Sequence, residues 1–193
     1  MWQGAWRMCF VVTLAIGVAS VVRASENLVG VYSDALGDSA CVSGLGPTIC
    51  YVVASNVANS DGILGWQFAL RIQGSGWLFA PALPPDSINI ESFPRMRVGC
   101  AAPIPNADQM VLLTFSAYSS GPAHVYIDPL TPFDPALLLL ASNSELVHLD
   151  FEYGGYGAPV FAMGGADCPA LNTEAGVVAD EQSSWGATKI RYR

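Results

Sequence analysis

The sequence predicts an all-β protein, an antiparallel β-sandwich followed by a short C-terminal extension. Three observations carry this. Apolar and polar residues alternate with period two in several runs, and Gly/Pro-rich turn chemistry separates those runs. The chain also lacks both a 20–50-residue repeat and the strand–helix alternation of a parallel doubly wound sheet.

In chain order, Leu28 to Ser33 opens as a short strand. Ile49 to Ser55 is more continuously apolar, as expected of a central strand covered on both sides. Asn59-Ser60-Asp61-Gly62 is a tight-turn signal. After it, Trp66, Phe68, Leu70 and Ile72 alternate with Gln67, Ala69, Arg71 and Gln73, describing a strand with one dry face. Gly74-Ser75-Gly76, Pro81 to Pro85, Pro103 to Asn106 and Ser119 to Pro122 read as loops by composition. Ile88 to Phe93 is a short strand candidate, and Met110 to Tyr118 a second central one. Ala123 to Asp128 alternates. Pro129, Pro132 and Pro135 then forbid a central strand and mark a connection. Leu137 to Leu140 is too short for periodicity to choose between a helical turn and a buried strand. Leu146 to Tyr153 alternates, with His148, Asp150 and Glu152 on the wet side, and Pro159 to Met163 closes the domain.

Composition excludes several classes. With 193 residues, 52% apolar and 12% charged, the chain is too apolar for a disordered segment. Eight Lys and Arg against 16 Asp and Glu give no electrostatic footprint for nucleic acid. Two histidines leave little with which to assemble a His-based metal centre or triad.

Residues 1–24 read as a signal peptide. Arg7 supplies the positive end, Cys9 to Val22 the apolar stretch, and Val22-Arg23-Ala24 the cleavage site before Ser25. Arg23 interrupts the run short of the ~20 apolar residues a membrane span needs. No span is expected after cleavage. Without Arg7 and Arg23, six basic residues face 16 acidic ones, a net charge of −10. Residues 25–168 form the domain, and 169–182 read as a linker with Glu174, Asp180 and Glu181. Residues 183–193 follow as a terminal segment with Trp185, Lys189, Ile190, Arg191, Tyr192 and Arg193. It reads either as a capped short helix or as a strand.

Four cysteines remain after cleavage: Cys41, Cys50, Cys100 and Cys168. An even number in an exported chain predicts two disulfides. Three pairings exist. The favoured one ties Cys41 to Cys168, which would staple the start of the domain to its end, and leaves Cys50 with Cys100.

Chemistry-bearing residues are sparse. Gly37-Asp38-Ser39 resembles a serine-esterase nucleophile block, yet the Asp-x-x-His such enzymes carry near the C-terminus is absent. His148, Asp150 and Glu152 are weak metal candidates, because strand residues two apart project together. A solvated outer face fits the same pattern and is the favoured reading. Asp34 and Asp38 flank a short Gly-bearing loop that could hold calcium together with backbone carbonyls, but the EF-hand pattern fails, with Val57 where its first acid belongs, and solvated loop acids are the favoured reading. Among the aromatics Trp66, Trp77, Tyr118, Tyr126, Tyr153 and Tyr156, Trp66 belongs to a core face. Trp77 and Phe79, beside Gly and Pro, are the better candidates for exposure and for stacking on a sugar, while packing in the core or in loops is the favoured reading of the set.

Two segments together resemble a group of uncharacterised exported bacterial proteins. Leu28-Val29-Gly30-Val31-Tyr32-Ser33-Asp34, with Cys41 seven residues on, is similar to that group's Gly-Val-Tyr-x-Asp mature start. The ending Trp185-Gly186-Ala187-Thr188-Lys189-Ile190-Arg191-Tyr192-Arg193 is similar to its Trp-Gly-x-x-Lys-x-x-Tyr-Arg terminus, with Thr188 where Ile is usual. Val98-Gly99-Cys100 and the stretch from Gly164-Gly165 to Cys168 also match the group. The likeness implies export and no known activity. The Gly65-Trp66-Gln67-Phe68 block before Val111 to Phe115 resembles cohesin-type modules, which implies an immunoglobulin/cohesin-like sandwich with a binding or structural role.

The expectation is therefore a secreted, non-enzymatic β-sandwich with a structural or interaction role at the cell surface or in the periplasm. It needs no cofactor, and a protein or a glycan is its partner. Trp77, Trp185, Lys189, Tyr192 and Arg193 are the interaction candidates. A carbohydrate-binding module and a hydrolase using loop carboxylates are the alternatives.

Overall fold

The structure, a computed structural model, describes residues 26–57, 61–155 and 157–170. Among them there is no helix, and so none long and apolar enough to cross a membrane. The signal peptide, most of the linker, the terminal segment with Trp185, Lys189, Tyr192 and Arg193, and also Tyr156, lie outside the described residues.

The described residues form eleven strands in one hydrogen-bonded sheet. They are β1 (Leu28–Tyr32), β2 (Cys41–Val42), β3 (Gly46–Ser55), β4 (Ile63–Ala82), β5 (Ser87–Asn89) and β6 (Arg95–Ile104). The rest are β7 (Gln109–Asp128), β8 (Leu137–Leu140), β9 (Leu146–His148), β10 (Asp150–Phe151) and β11 (Phe161–Met163). The all-β class stands, and the buried-strand reading of Leu137 to Leu140 is the one realised. The sheet is mixed, however. β1 runs parallel to β10 and β2 parallel to β11, which corrects the purely antiparallel expectation.

Two strands are far longer than their composition suggests. β4 runs through Gly74-Ser75-Gly76, and β7 runs through Ser119 to Pro122, where loops were expected. The reason is local. The two glycines lie against β7, where a Cβ on Gly74 would strike the Pro122 carbonyl and one on Gly76 would crowd the Tyr118 carbonyl. Glycine here permits a close backbone approach within the ladder, with a register shift between the two residues.

β4 also changes partners midway. Residues Ile63 to Ala69 pair with β6 on one side, and Ile63 to Gln67 with β8 on the other. From Ala69 to Ala82 it pairs with β7, which in turn pairs with β3. The two arms share one core. Trp66, Phe68, Met96 and Leu138 come from the first arm, and Val31, Val52, Phe115 and Val125 from the second. Phe68, Leu70 and Phe115 are buried, as alternation requires.

The start of the domain is tied to its end by the Cys41–Cys168 disulfide, with a Cα–Cα distance of 5.5 Å and a sequence separation of 127. The favoured first pairing is thus realised. The second is corrected: Cys50 and Cys100 are free thiols. Cys50 faces the core from β3, opposite Phe115, whereas Cys100 sits on β6 opposite Ser87, whose hydroxyl lies 3.3 Å from its sulfur. The two belong to different arms of the sheet.

Candidate interaction surface

Period-two placement fixes what β3, β7 and β4 present outward. In register, Pro47 lies opposite Tyr118, and Tyr118 opposite Trp77. Two residues along, Ile49 lies opposite Ser116, and Ser116 opposite Phe79. All six share a face. The intervening row, Thr48–Ala117–Leu78, turns inward, with Ala117 buried and Leu78 packed on the core.

The outward row is apolar and uncharged. Ile49 is 56% exposed, Trp77 53% and Phe79 38%. The Trp77 and Tyr118 rings stack with centroids 4.3 Å apart and planes inclined by 20°. Each ring holds the other upright, so the exposed indole is preorganised. Trp77 and Phe79 were legible only as candidates for exposure, from their Gly and Pro neighbours. Ile49 and Tyr118 were not, because only the strand register brings them beside Trp77. The reading of Ile49 as a residue covered on both sides is corrected, since β3 begins at Gly46 and its first residues project beyond the core.

The same stretch has open edges. β1 pairs with β3 only from Tyr51 to Ser55, and nothing among the described strands pairs with β4 beyond Ala69 except β7. Trp77 to Phe79 is therefore an edge strand with an apolar face. Past Phe79 the edge is blunted: Ala80 takes a positive φ of 50°, the register shifts, and Pro81 cannot donate to a ladder.

The other predicted residues among those described hold structural positions. His148 ends β9, which pairs with β8, while Asp150 begins β10 beside β1. One strand was expected over Leu146 to Tyr153; two short ones with different neighbours are found, the backbone turning from the β8 side at Leu149, whose N–H bonds the Ala136 carbonyl, to the β1 side at Asp150, whose N–H bonds the Asn27 carbonyl. His148, Asp150 and Glu152 make no group that could hold a metal ion among the described residues. Glu152 instead accepts a 2.7 Å hydrogen bond from the Tyr32 hydroxyl. Asp34 anchors its own loop, accepting the backbone N–H groups of Leu36, Asp38 and Ser39 on its two carboxylate oxygens at 2.9–3.1 Å. The Ser39 hydroxyl donates to the Cys41 carbonyl at 2.9 Å. Trp66 is core, and Tyr126 lies under the Arg71 guanidinium at 4.0 Å.

The Gly-Val-Tyr-x-Asp start now has a physical meaning. A Cβ on Gly30 would collide with the Tyr32 ring, which lies over the glycine and meets Tyr153 edge-on at 6.1 Å. Burial first, and the Glu152 hydrogen bond second, push the Tyr32 hydroxyl well above the usual phenol range.

Comparison with protein families, with curated proteins and with solved structures gave no match.

Proposed function

We propose that this is an exported, non-catalytic β-protein of the cell surface or periplasm, and that it works by binding through the Ile49–Trp77–Phe79–Tyr118 face. The observation that carries the reading is that face: large apolar side chains held outward, edge to edge, on a rigid sheet whose core is complete without them. Clustered exposed aromatics mark interaction sites, and Trp and Tyr dominate binding energy where they are preorganised. The leader-like residues 1–24 support export, as does the Cys41–Cys168 disulfide, which suits an oxidising compartment.

The absence of charged side chains from the outward rows favours an apolar protein surface over a glycan. A sugar site adds directional polar partners to its aromatic platform. Here Ser116 and the Tyr118 hydroxyl are the only polar side-chain groups in the two rows.

The test is co-sedimentation of the mature chain with envelopes of its own source cells. Replacing Trp77 and Phe79 together by Ser is expected to reduce retention at least ~30-fold, since each buried aromatic contributes on the order of 1–2 kcal/mol at an interface. Equal retention of wild type and variant would remove the reading.

A further inference from the structure

We infer a second binding site on the outward side of the first arm, a cleft that takes one Leu-sized side chain of an extended polypeptide together with a neighbouring backbone carbonyl. Gln67 and Trp77 stand in opposite halves of β4, so the cleft is separate from the Ile49–Trp77–Phe79–Tyr118 face and does not depend on the role proposed for it.

Strand register builds the cleft. Across β6, β4, β8 and β9, one outward row runs Arg97–Gln67–Leu137–His148, and another runs Gly99–Gly65–Leu139–Leu146. β5 adds Ile88 beside Gly99. The row between them, Val98–Trp66–Leu138–Val147, turns towards the core. Two adjacent glycines leave the second row bare at its centre, between Ile88, 69% exposed, and Leu146, 61% exposed. Gly65 has to stay bare, because a Cβ there would strike the Val98 carbonyl. The result is an open cavity of about 160 Å³ with Gly65, Gln67, Arg97, Leu137, Leu139 and Leu146 in its lining. An apolar cavity of ~150 Å³ takes up benzene, so this one admits a ring or a branched alkyl group.

Arg97 is the polar wall. Its Nη2 donates to Asp134 Oδ2 at 3.2 Å, while its Nε is buried and has no acceptor among the described residues. A guanidinium carries five N–H donors and gains from each acceptor it meets. Asp134 also accepts from the Thr131 hydroxyl at 3.2 Å, so the turn that holds the guanidinium is itself fixed. Gln67 is held as well, donating to the Pro135 carbonyl at 2.8 Å. An acceptor entering the cleft therefore meets donors that are already oriented. Asp134 neutralises Arg97, and the described residues carry 13 carboxylates against three arginines. A neutral carbonyl is favoured there over a second carboxylate. An apolar side chain beside a neutral carbonyl is the repeating chemistry of a polypeptide, and sheet surfaces read such segments through pockets for single side chains.

Titration of the full mature chain with N-acetyl-leucinamide, followed by NMR of the leucine methyl groups and the arginine Nε–H, tests this. The Leu139 and Leu146 methyls and the Arg97 Nε–H should shift saturably. N-acetyl-leucine, the same group as a carboxylate, should bind at least threefold more weakly. Gly99→Leu should weaken binding at least tenfold by filling the bare centre of the row, and should leave the fold intact, because a Cβ on Gly99 meets nothing within 4 Å. Arg97→Gln should weaken binding at least threefold. Shifts confined to Trp77 and Tyr118, no saturable shift at all, or equal binding by wild type and Gly99→Leu would overturn the site. Tighter binding of the carboxylate, or unchanged binding by Arg97→Gln, would overturn the carbonyl contact and with it the class of ligand.

Discussion

At the scale of single residues, the amino-terminal motif shows how a short pattern encodes packing. Gly30 is small so that Tyr32 can lie over it, and Tyr32 reaches Glu152, 120 residues away in sequence. Tyr32→Phe is expected to cost about 1–2 kcal/mol in urea unfolding, because Glu152 loses its donor. Gly30→Ala is expected to cost about 1–3 kcal/mol by displacing the ring. The pH dependence follows from the same contact. The folded state holds the Tyr32 proton more tightly than the unfolded state, so this stabilisation is complete below pH ~10 and declines above it. Tyr32→Phe should flatten that decline. Burial likewise pushes the Cys50 thiol up to about 12, which adds a loss of stability above pH ~9. Titration with a thiol reagent at pH 8 should label Cys100 in the native protein and Cys50 only after unfolding, whereas a Cys50–Cys100 disulfide would leave neither reactive.

At the scale of elements, the inward-facing rows were readable from alternation and the outward-facing surface was not. Phe68 and Leu70 are buried because they sit on the apolar side of a period-two run, and Phe115 because it lies in a continuously apolar central strand. Composition misled where glycine and serine stood for loops. In β4 and β7 they permit close strand approach instead, and nothing local to Gly74 or Ser119 distinguishes the two uses. The candidate face was half legible. Trp77 and Phe79 stood out beside turn residues, but their neighbours Ile49 and Tyr118 come from strands remote in sequence, placed by register alone. The apparent ligand row His148, Asp150 and Glu152 failed for the same reason, since pairing partners change at Leu149 and one predicted strand becomes two.

At the scale of the whole molecule, one disulfide closes almost the entire domain. Chain-entropy reasoning gives the Cys41–Cys168 crosslink, with its separation of 127 residues, a stabilisation of about 3–5 kcal/mol. Cys41→Ser/Cys168→Ser should therefore lower the unfolding free energy by that amount; an unchanged midpoint would show that β2 and β11 hold the ends together unaided. The most direct measurement compares two double variants in urea. Trp77→Ser/Phe79→Ser, on the outward face, should cost at most about 2 kcal/mol. Phe68→Ala/Phe115→Ala, in the core, should cost at least about 5 kcal/mol. Comparable losses from both would mean that the aromatic face belongs to the fold rather than to a partner.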